Sequence, residues 1–336
     1  MLKKLIEKLI AKQDLTAKEC ALTIEEILRE DHLYSNEQIA AFLVLLRAKS
    51  ETAEEILGIV TAMRAHMLKV NTAFPVLDIV GTGGDYANTI NISIGASILA
   101  ASCGVKVAKH GNRAVSSKCG SADVLETLGV KLALTPEKVT DCIGKIGIGF
   151  CFAPIFHPAF KKIKVIRKAL GIPTCFNLLG PLLNPASAEY LIIGVFAQNL
   201  VDLISEVLLK LKITRALVFH GVGIDELSCI GTTQAIEIIS GSKKYLIIDP
   251  QKLGFAKCRL EDLQGGDPQL NAQLLNQVFA GQPSAIADTL ILNAAVALYI
   301  YGKTKSIAEA IPIIKENIAN ANAKKTLKNL VEKTNE

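Results

Sequence analysis

From Pro75 onward the chain alternates short, fully apolar, β-rich runs with helix-length segments, and no other feature of the sequence limits its possible folds as strongly. The runs are VLDIV at 76–80, VKVA at 105–108, LIIGVFA at 191–197, ALVFH at 216–220 and AIEII at 235–239, with helical segments such as 199–212 between them. A strand that is apolar at every position needs cover on both faces, and helices supply it in a mainly parallel sheet. The expectation is an α/β domain over residues 73–336. At 336 residues, half of them hydrophobic, the chain has material for one large core or two ordinary ones.

Residues 1–72 have a different texture. Three helix-start signals of the capping-box type occur there, Thr16 with Glu19, Ser35 with Gln38 and Thr52 with Glu55. Apolar residues then recur at three- and four-residue spacing, as in Ile39, Phe42, Leu43 and Leu46, which predicts a small antiparallel helical bundle. A proline- and glycine-rich stretch between Pro154 and Pro185 is too long for an ordinary connection. It reads as an excursion, over about residues 160–188, back towards the helical domain.

Several function classes fall away on composition. No apolar stretch reaches the length of a membrane span uninterrupted, and no secretory leader is recognised at the start, so a cytoplasmic protein without membrane contact is expected. The eight cysteines form no CxxC pair and the five histidines no HxxH or HExxH, which argues against a zinc site or a disulfide framework. A net charge of +5 is mild at this length, and the C-terminal lysines read as a solvated helix face rather than a nucleic-acid surface.

Directly after VLDIV comes GTGGD, and Asn91, Ile92 and Ser93 then open an apolar helix. Glycines let backbone N–H groups approach an anion, and a helix N-terminus adds partial positive charge. The loop is neither a Walker loop, for lack of GK[ST], nor the dinucleotide fingerprint, because Tyr86 stands where that pattern needs glycine. Standing alone it reads equally as a glycine turn with a helix cap. A second polar loop, KHGNRAVSSKCGSAD at 109–123, follows the next strand, and SADVLETLG reads as a short helix closed by Gly129. Two such loops at the carboxyl ends of neighbouring parallel strands mark where an open α/β sheet binds ligands. Lys109 offers a point charge, and Ser116, Ser117 and Ser121 offer hydroxyl donors, a set that suits a phosphate ester or pyrophosphate. After ALVFH the sequence GVGIDELS carries Asp225 and Glu226, which read either as a surface turn or as hard oxygen ligands for Mg2+.

Four motifs in order, GTGGD with T-x-N-x-S, then KHGNRAVSSKCGSAD-x-LE-x-LG, then R-K-x-LGIPT-x-FNLLGPLLNP, then G-x-DELS, resemble the anthranilate phosphoribosyltransferase family of tryptophan biosynthesis over nearly the whole chain. The resemblance implies a nucleoside phosphorylase/phosphoribosyltransferase-like fold, a small helical domain packed on a larger α/β domain with a mainly parallel central sheet and the site in the cleft. It implies transfer of a phosphoribosyl group from phosphoribosyl pyrophosphate to the amine of anthranilate. At matching positions it implies that Gly81, Gly84, Asp85, Thr89, Asn91, Ser93, Lys109, Ser117 and Ser121 hold the donor. Gly81, His110, Gly111, Asn112, His157, Arg167 and Gly180 would line the anthranilate pocket, with Arg167 matching the planar carboxylate. Ser93, Asp225 and Glu226 would serve Mg2+, two ions per site, and a homodimer is implied. No residue is assigned as acid or base. Tyr86 and Ile94 depart from the family pattern, which has glycine and threonine there; losing the threonine hydroxyl removes a donor worth about 1–3 kcal/mol to a charged acceptor.

Overall fold

The computed structural model describes residues 1–29, 31, 34–114 and 118–336. Four helices open the chain, α1 (Leu2–Ile10), α2 (Ala17–Leu28), α3 (Asn36–Lys49) and α4 (Ala53–Ala65). Thr16, Ser35 and Thr52 each accept from the backbone N–H three residues on, and Glu19, Gln38 and Glu55 reach back, so all three capping boxes form. Glu55 also accepts the Leu15 N–H at 2.8 Å and pairs with Lys49 at 3.1 Å, tying three helices together in the interior.

The rest of the chain builds one seven-stranded sheet. Its first half runs β1 (Leu77–Gly81), α5 (Ile92–Ser102), β2 (Val107–Gly111), α6 (Ser121–Thr127), α7 (Pro136–Ile146), β3 (Ile148–Phe152), α8 (Ala153–Phe156) and α9 (Phe160–Leu170). The second half runs β4 (Tyr190–Gly194), α10 (Leu200–Lys210), β5 (Arg215–Phe219), β6 (Thr233–Ile239), β7 (Ser242–Ile248), α11 (Pro268–Phe279), α12 (Ala285–Tyr301), α13 (Ile307–Ala319) and α14 (Asn322–Asn335). The strand order is β3-β2-β1-β4-β5-β6-β7, parallel from β3 to β5 and antiparallel at β6 and β7. The central strands are buried on both faces, as their apolar runs require. α12, apolar nearly all round, packs against α5 beneath the sheet.

Two strands went unread in the sequence. In β3 (IGFCF) a glycine interrupts an already short run, and in β7 (SKKYLII) lysines and exposed apolar residues share an edge strand, with Tyr245 and Ile247 mostly in solvent. After α8 the chain forms α9 and two 3₁₀ turns at 175–177 and 180–182; α9 and the first turn pack on α3, and Arg64 of α4 donates to the Leu182 carbonyl at 2.9 Å. No helix among the described residues is long and apolar enough to cross a membrane. No disulfide joins the cysteines among the described residues; Cys142 is buried and Cys103 only partly so.

Candidate active site

The chain moves from β1 to β2 and β3 on one side of the sheet, then returns to place β4 on the other side of β1. The two loops that leave β1 and β4 therefore part company at a topological switch point, where an open parallel sheet has a crevice at its carboxyl edge. Gly81 and Gly194 end these strands as paired residues. A Cβ on Gly194 would stand 1.7 Å from the Asp225 carbonyl oxygen, and one on Gly81 2.3 Å from Asp225 Oδ2. At 194 only hydrogen lets the 221–228 loop settle onto the sheet edge, and at 81 the missing side chain leaves room for the Asp225 carboxylate beside the GTGGD loop.

Those two loops are stapled together. Gly83 donates its backbone N–H to Asp225 Oδ2 at 2.5 Å, and Asp225 donates its own to Asp85 Oδ2 at 3.2 Å. Asp85 also accepts from Ala87 N–H at 3.1 Å. Residues 87–91 are braced from outside by a bridge between Thr89 and Gln264, by the Ile90 N–H on the Leu263 carbonyl (2.9 Å) and by the Asn91 N–H on Asn271 Oδ1 (2.9 Å). Asn91 then caps α5 by accepting from Ile94 N–H at 3.1 Å, with Ser93 in the first turn. Ile94 is fully buried, so at that position the loop presents only a backbone N–H that Asn91 already takes.

The electrostatics are those of crowded acids. Burial, reinforced by the neighbouring Asp85, pushes the Asp225 carboxyl up to about 8. Enclosure and Asp225 likewise raise Glu226 well above its usual range, opposed by Lys109 and the Ser93 backbone N–H. Such a cluster holds protons at neutral pH or gives them up to a bound cation. No three acidic, histidine or cysteine side chains among the described residues form a ready ligand set. Asp225 and Glu226 are the kind of hard oxygen donors that Mg2+ takes one or two of, completing its shell with water and substrate phosphates.

Beyond β2 the second loop begins. Lys109 is 1% exposed, its Nζ donating to the His110 carbonyl at 2.6 Å and standing 3.6 Å from Asp78. Ser121 opens α6 against Gly111, where a Cβ would lie 3.0 Å from that of the serine. Asn112 takes the Ala122 N–H on its carbonyl and curls its side chain onto the Arg113 N–H. Ser116 and Ser117 lie outside the described residues.

His110 and His157 form a buried pair with ring centroids 5.1 Å apart. Burial lowers their pKa values to about 4 and about 3, so both are neutral above pH 5. His110 Nδ1 donates to the Gly180 carbonyl at 3.1 Å, which fixes that tautomer and leaves Nε2 an unpartnered acceptor, while the Leu183 backbone approaches the His157 ring. Arg167 stands apart from this pair. It lies beside the rings of Phe160 and Phe176 at 5.9 and 5.8 Å and donates Nη2 to Asn177 Oδ1 at 3.1 Å, while its Nε is buried without an acceptor.

The structure thus brings Gly81, Asp85 and Asp225 together at the carboxyl edge of the sheet, sets Glu226 in the field of Asp225 and Lys109 and against the Ser93 backbone, and joins His110 to His157 and Gly180. Sequence reading missed Asp78, Asn184 and Asn271, interior polar residues that orient the loops; a lone Asp inside the apolar run VLDIV was the one signal available.

The glycosyl transferase family, a/b domain, matches residues 73–324, and the glycosyl transferase family, helical bundle domain, matches 3–67. Among curated proteins, anthranilate phosphoribosyltransferase of Chlamydia caviae is 48% identical over 91% of this chain and 91% of its own. Among solved structures, anthranilate phosphoribosyltransferase of Thermus thermophilus superposes with a TM-score of 0.92 at 38% identity, covering 98% of this chain and 99% of that one. The Saccharomyces cerevisiae anthranilate phosphoribosyltransferase in complex with PRPP and Mg superposes with a TM-score of 0.91 at 30% identity, covering 99% and 98%.

Proposed function

Because the chain belongs to the anthranilate phosphoribosyltransferase family, we propose that it transfers the 5-phosphoribosyl group of phosphoribosyl pyrophosphate to the amine of anthranilate, releasing pyrophosphate in tryptophan biosynthesis. What supports this reading is the topological switch point, where the GTGGD loop after β1 is hydrogen-bonded to a buried carboxylate cluster. A donor with a monophosphate at one end and a pyrophosphate at the other needs more than one anion cradle.

Gly81, Gly84, Asp85, Thr89, Asn91, Ser93, Lys109, Ser117 and Ser121 hold the donor in this reading. Asp225 and Glu226, with the Ser93 hydroxyl, would hold Mg2+, two ions per site, and the metal supplies offsetting charge for the pyrophosphate leaving group. His110, Gly111, Asn112, His157, Arg167 and Gly180 line the anthranilate side; Arg167 takes the carboxylate, and the neutral His110 and His157 leave the amine uncharged company. The anomeric carbon becomes oxocarbenium-like as pyrophosphate leaves, so the protein's task is alignment of the amine and electrostatic support. We take the chain as two domains, 1–72 with the 160–188 excursion and 73–336, acting as a cytoplasmic homodimer.

The test is the fluorescence of anthranilate, which falls as it is converted. Loss of signal on adding phosphoribosyl pyrophosphate and Mg2+, and no free base from thymidine or uridine with phosphate, is the expected outcome. Phosphorolysis without anthranilate turnover would reassign the site to a nucleoside phosphorylase.

A further inference from the structure

We infer that Asp78 is a positioning residue for Lys109 and, through it, for the pyrophosphate end of the donor, an inference that rests on the proposed role of Lys109 in donor binding. Asp78 lies inside β1, fully buried, where an apolar residue would serve the sheet better. Its Oδ1 accepts the His110 N–H at 3.3 Å and faces Lys109 Nζ at 3.6 Å, while its Oδ2 accepts from Asn184 Nδ2 at 2.7 Å. Asn184 is itself fully engaged: Nδ2 also donates to the Ala108 carbonyl at 2.7 Å, and Oδ1 accepts from Ala186 N–H at 2.8 Å. One carboxylate thus joins β1, β2 and the excursion directly under both anion-type loops.

Stability does not explain this arrangement, since replacing a buried ion pair by apolar residues of similar volume is often neutral or stabilising. Position does. An ammonium on a flexible four-carbon stem has no fixed aim of its own, and a buried one without a counter-ion loses its proton. Asp78 supplies both anchor and counter-charge, and Asn184 holds Asp78 so that it cannot turn away. Lys109 is then held in a fixed place at β2, the edge where the pyrophosphate is expected, and its charge reaches Glu226.

The experiment is a double-mutant cycle with Lys109→Met, Asp78→Asn and the double variant, reading donor KM and kcat at saturating anthranilate and Mg2+. Lys109→Met and Asp78→Asn should each raise the donor KM at least about 10-fold, as loss of one partner of a buried charge pair does, while the anthranilate KM stays put. The double variant should be no worse than Lys109→Met. An unchanged donor KM in Lys109→Met would remove that lysine from the donor site and take the inference with it. A damaged Lys109→Met beside a normal Asp78→Asn, or costs that multiply in the double variant, would overturn the inference alone. Should Asp78→Asn fail to fold, Asn184→Ala replaces it in the cycle: it is expected to raise the donor KM by a smaller factor that vanishes in the Lys109→Met background, and a factor that persists there overturns the inference.

Discussion

At the scale of single residues, charge decides most of what the site does. Arg167 has a partly buried guanidinium with one N–H lacking an acceptor, and burial holds its pKa below the usual arginine value. A planar carboxylate would satisfy it. Arg167→Ala should therefore weaken anthranilate binding by about 10- to 100-fold and leave donor binding nearly unchanged, measured by separate titrations. Equal anthranilate affinity in variant and wild type would take Arg167 out of the pocket. Asp225 and Glu226 make the second residue-scale case, because burial first and neighbouring acids second raise both carboxyls. Replacing both with alanine should abolish turnover while far-ultraviolet circular dichroism stays native, and full activity in EDTA would contradict the metal role assigned to them.

Elements show where the sequence was legible. The five apolar runs became strands and the three capping boxes became helix starts because each signal is local: a turn of helix or a run of strand contains its own explanation. β7 escaped because an edge strand is specified by its neighbour, and Asp78 with Asn184 escaped because their partners are distant in sequence. Motif residues of the site could be named, but their burial could not, and Lys109 proved to be enclosed rather than solvent-facing. The departure at position 86 has a conformational meaning: Tyr86 has φ +58° and lies 70% exposed, so a side chain stands where the backbone favours glycine. A residue held in the left-handed region costs about 1 kcal/mol, so Tyr86→Gly should leave stability unchanged or raise Tm by up to about 2 °C, the relief being offset in part by greater freedom of the unfolded chain. A clear fall in Tm would mean that the exposed ring makes contacts worth more than the strain.

For the whole molecule, the buried ionisable groups pull stability in opposite directions with pH. His110 and His157 are depressed from 6.5, so between their folded values and 6.5 the unfolded chain binds more protons, and stability falls as the solution is acidified through that window. Asp225 is raised from 3.8 to about 8, so across that interval the folded chain binds the extra proton and its contribution declines as pH rises. In thermal melts His110→Asn should make Tm rise less steeply with pH between about 4 and 6.5, since one group that binds a proton only in the unfolded chain is gone. The alkaline side should respond to ligand: Mg2+ with the donor should raise Tm more at pH 8 than at pH 6, because binding there displaces fewer protons. Equal shifts at both pH values would mean that the acids do not titrate on binding.

Gly194 and Gly81 leave a mark on the history this sequence can have. A methyl group at 194 would meet main chain, which cannot step aside, whereas one at 81 would meet a carboxylate that can swing. Drift is therefore closed at one codon and narrowly open at the other. In a library randomised at both and selected for growth of a tryptophan-requiring host, position 194 should return glycine alone, and alanine at 81 should survive only in company with changes in the 221–228 loop.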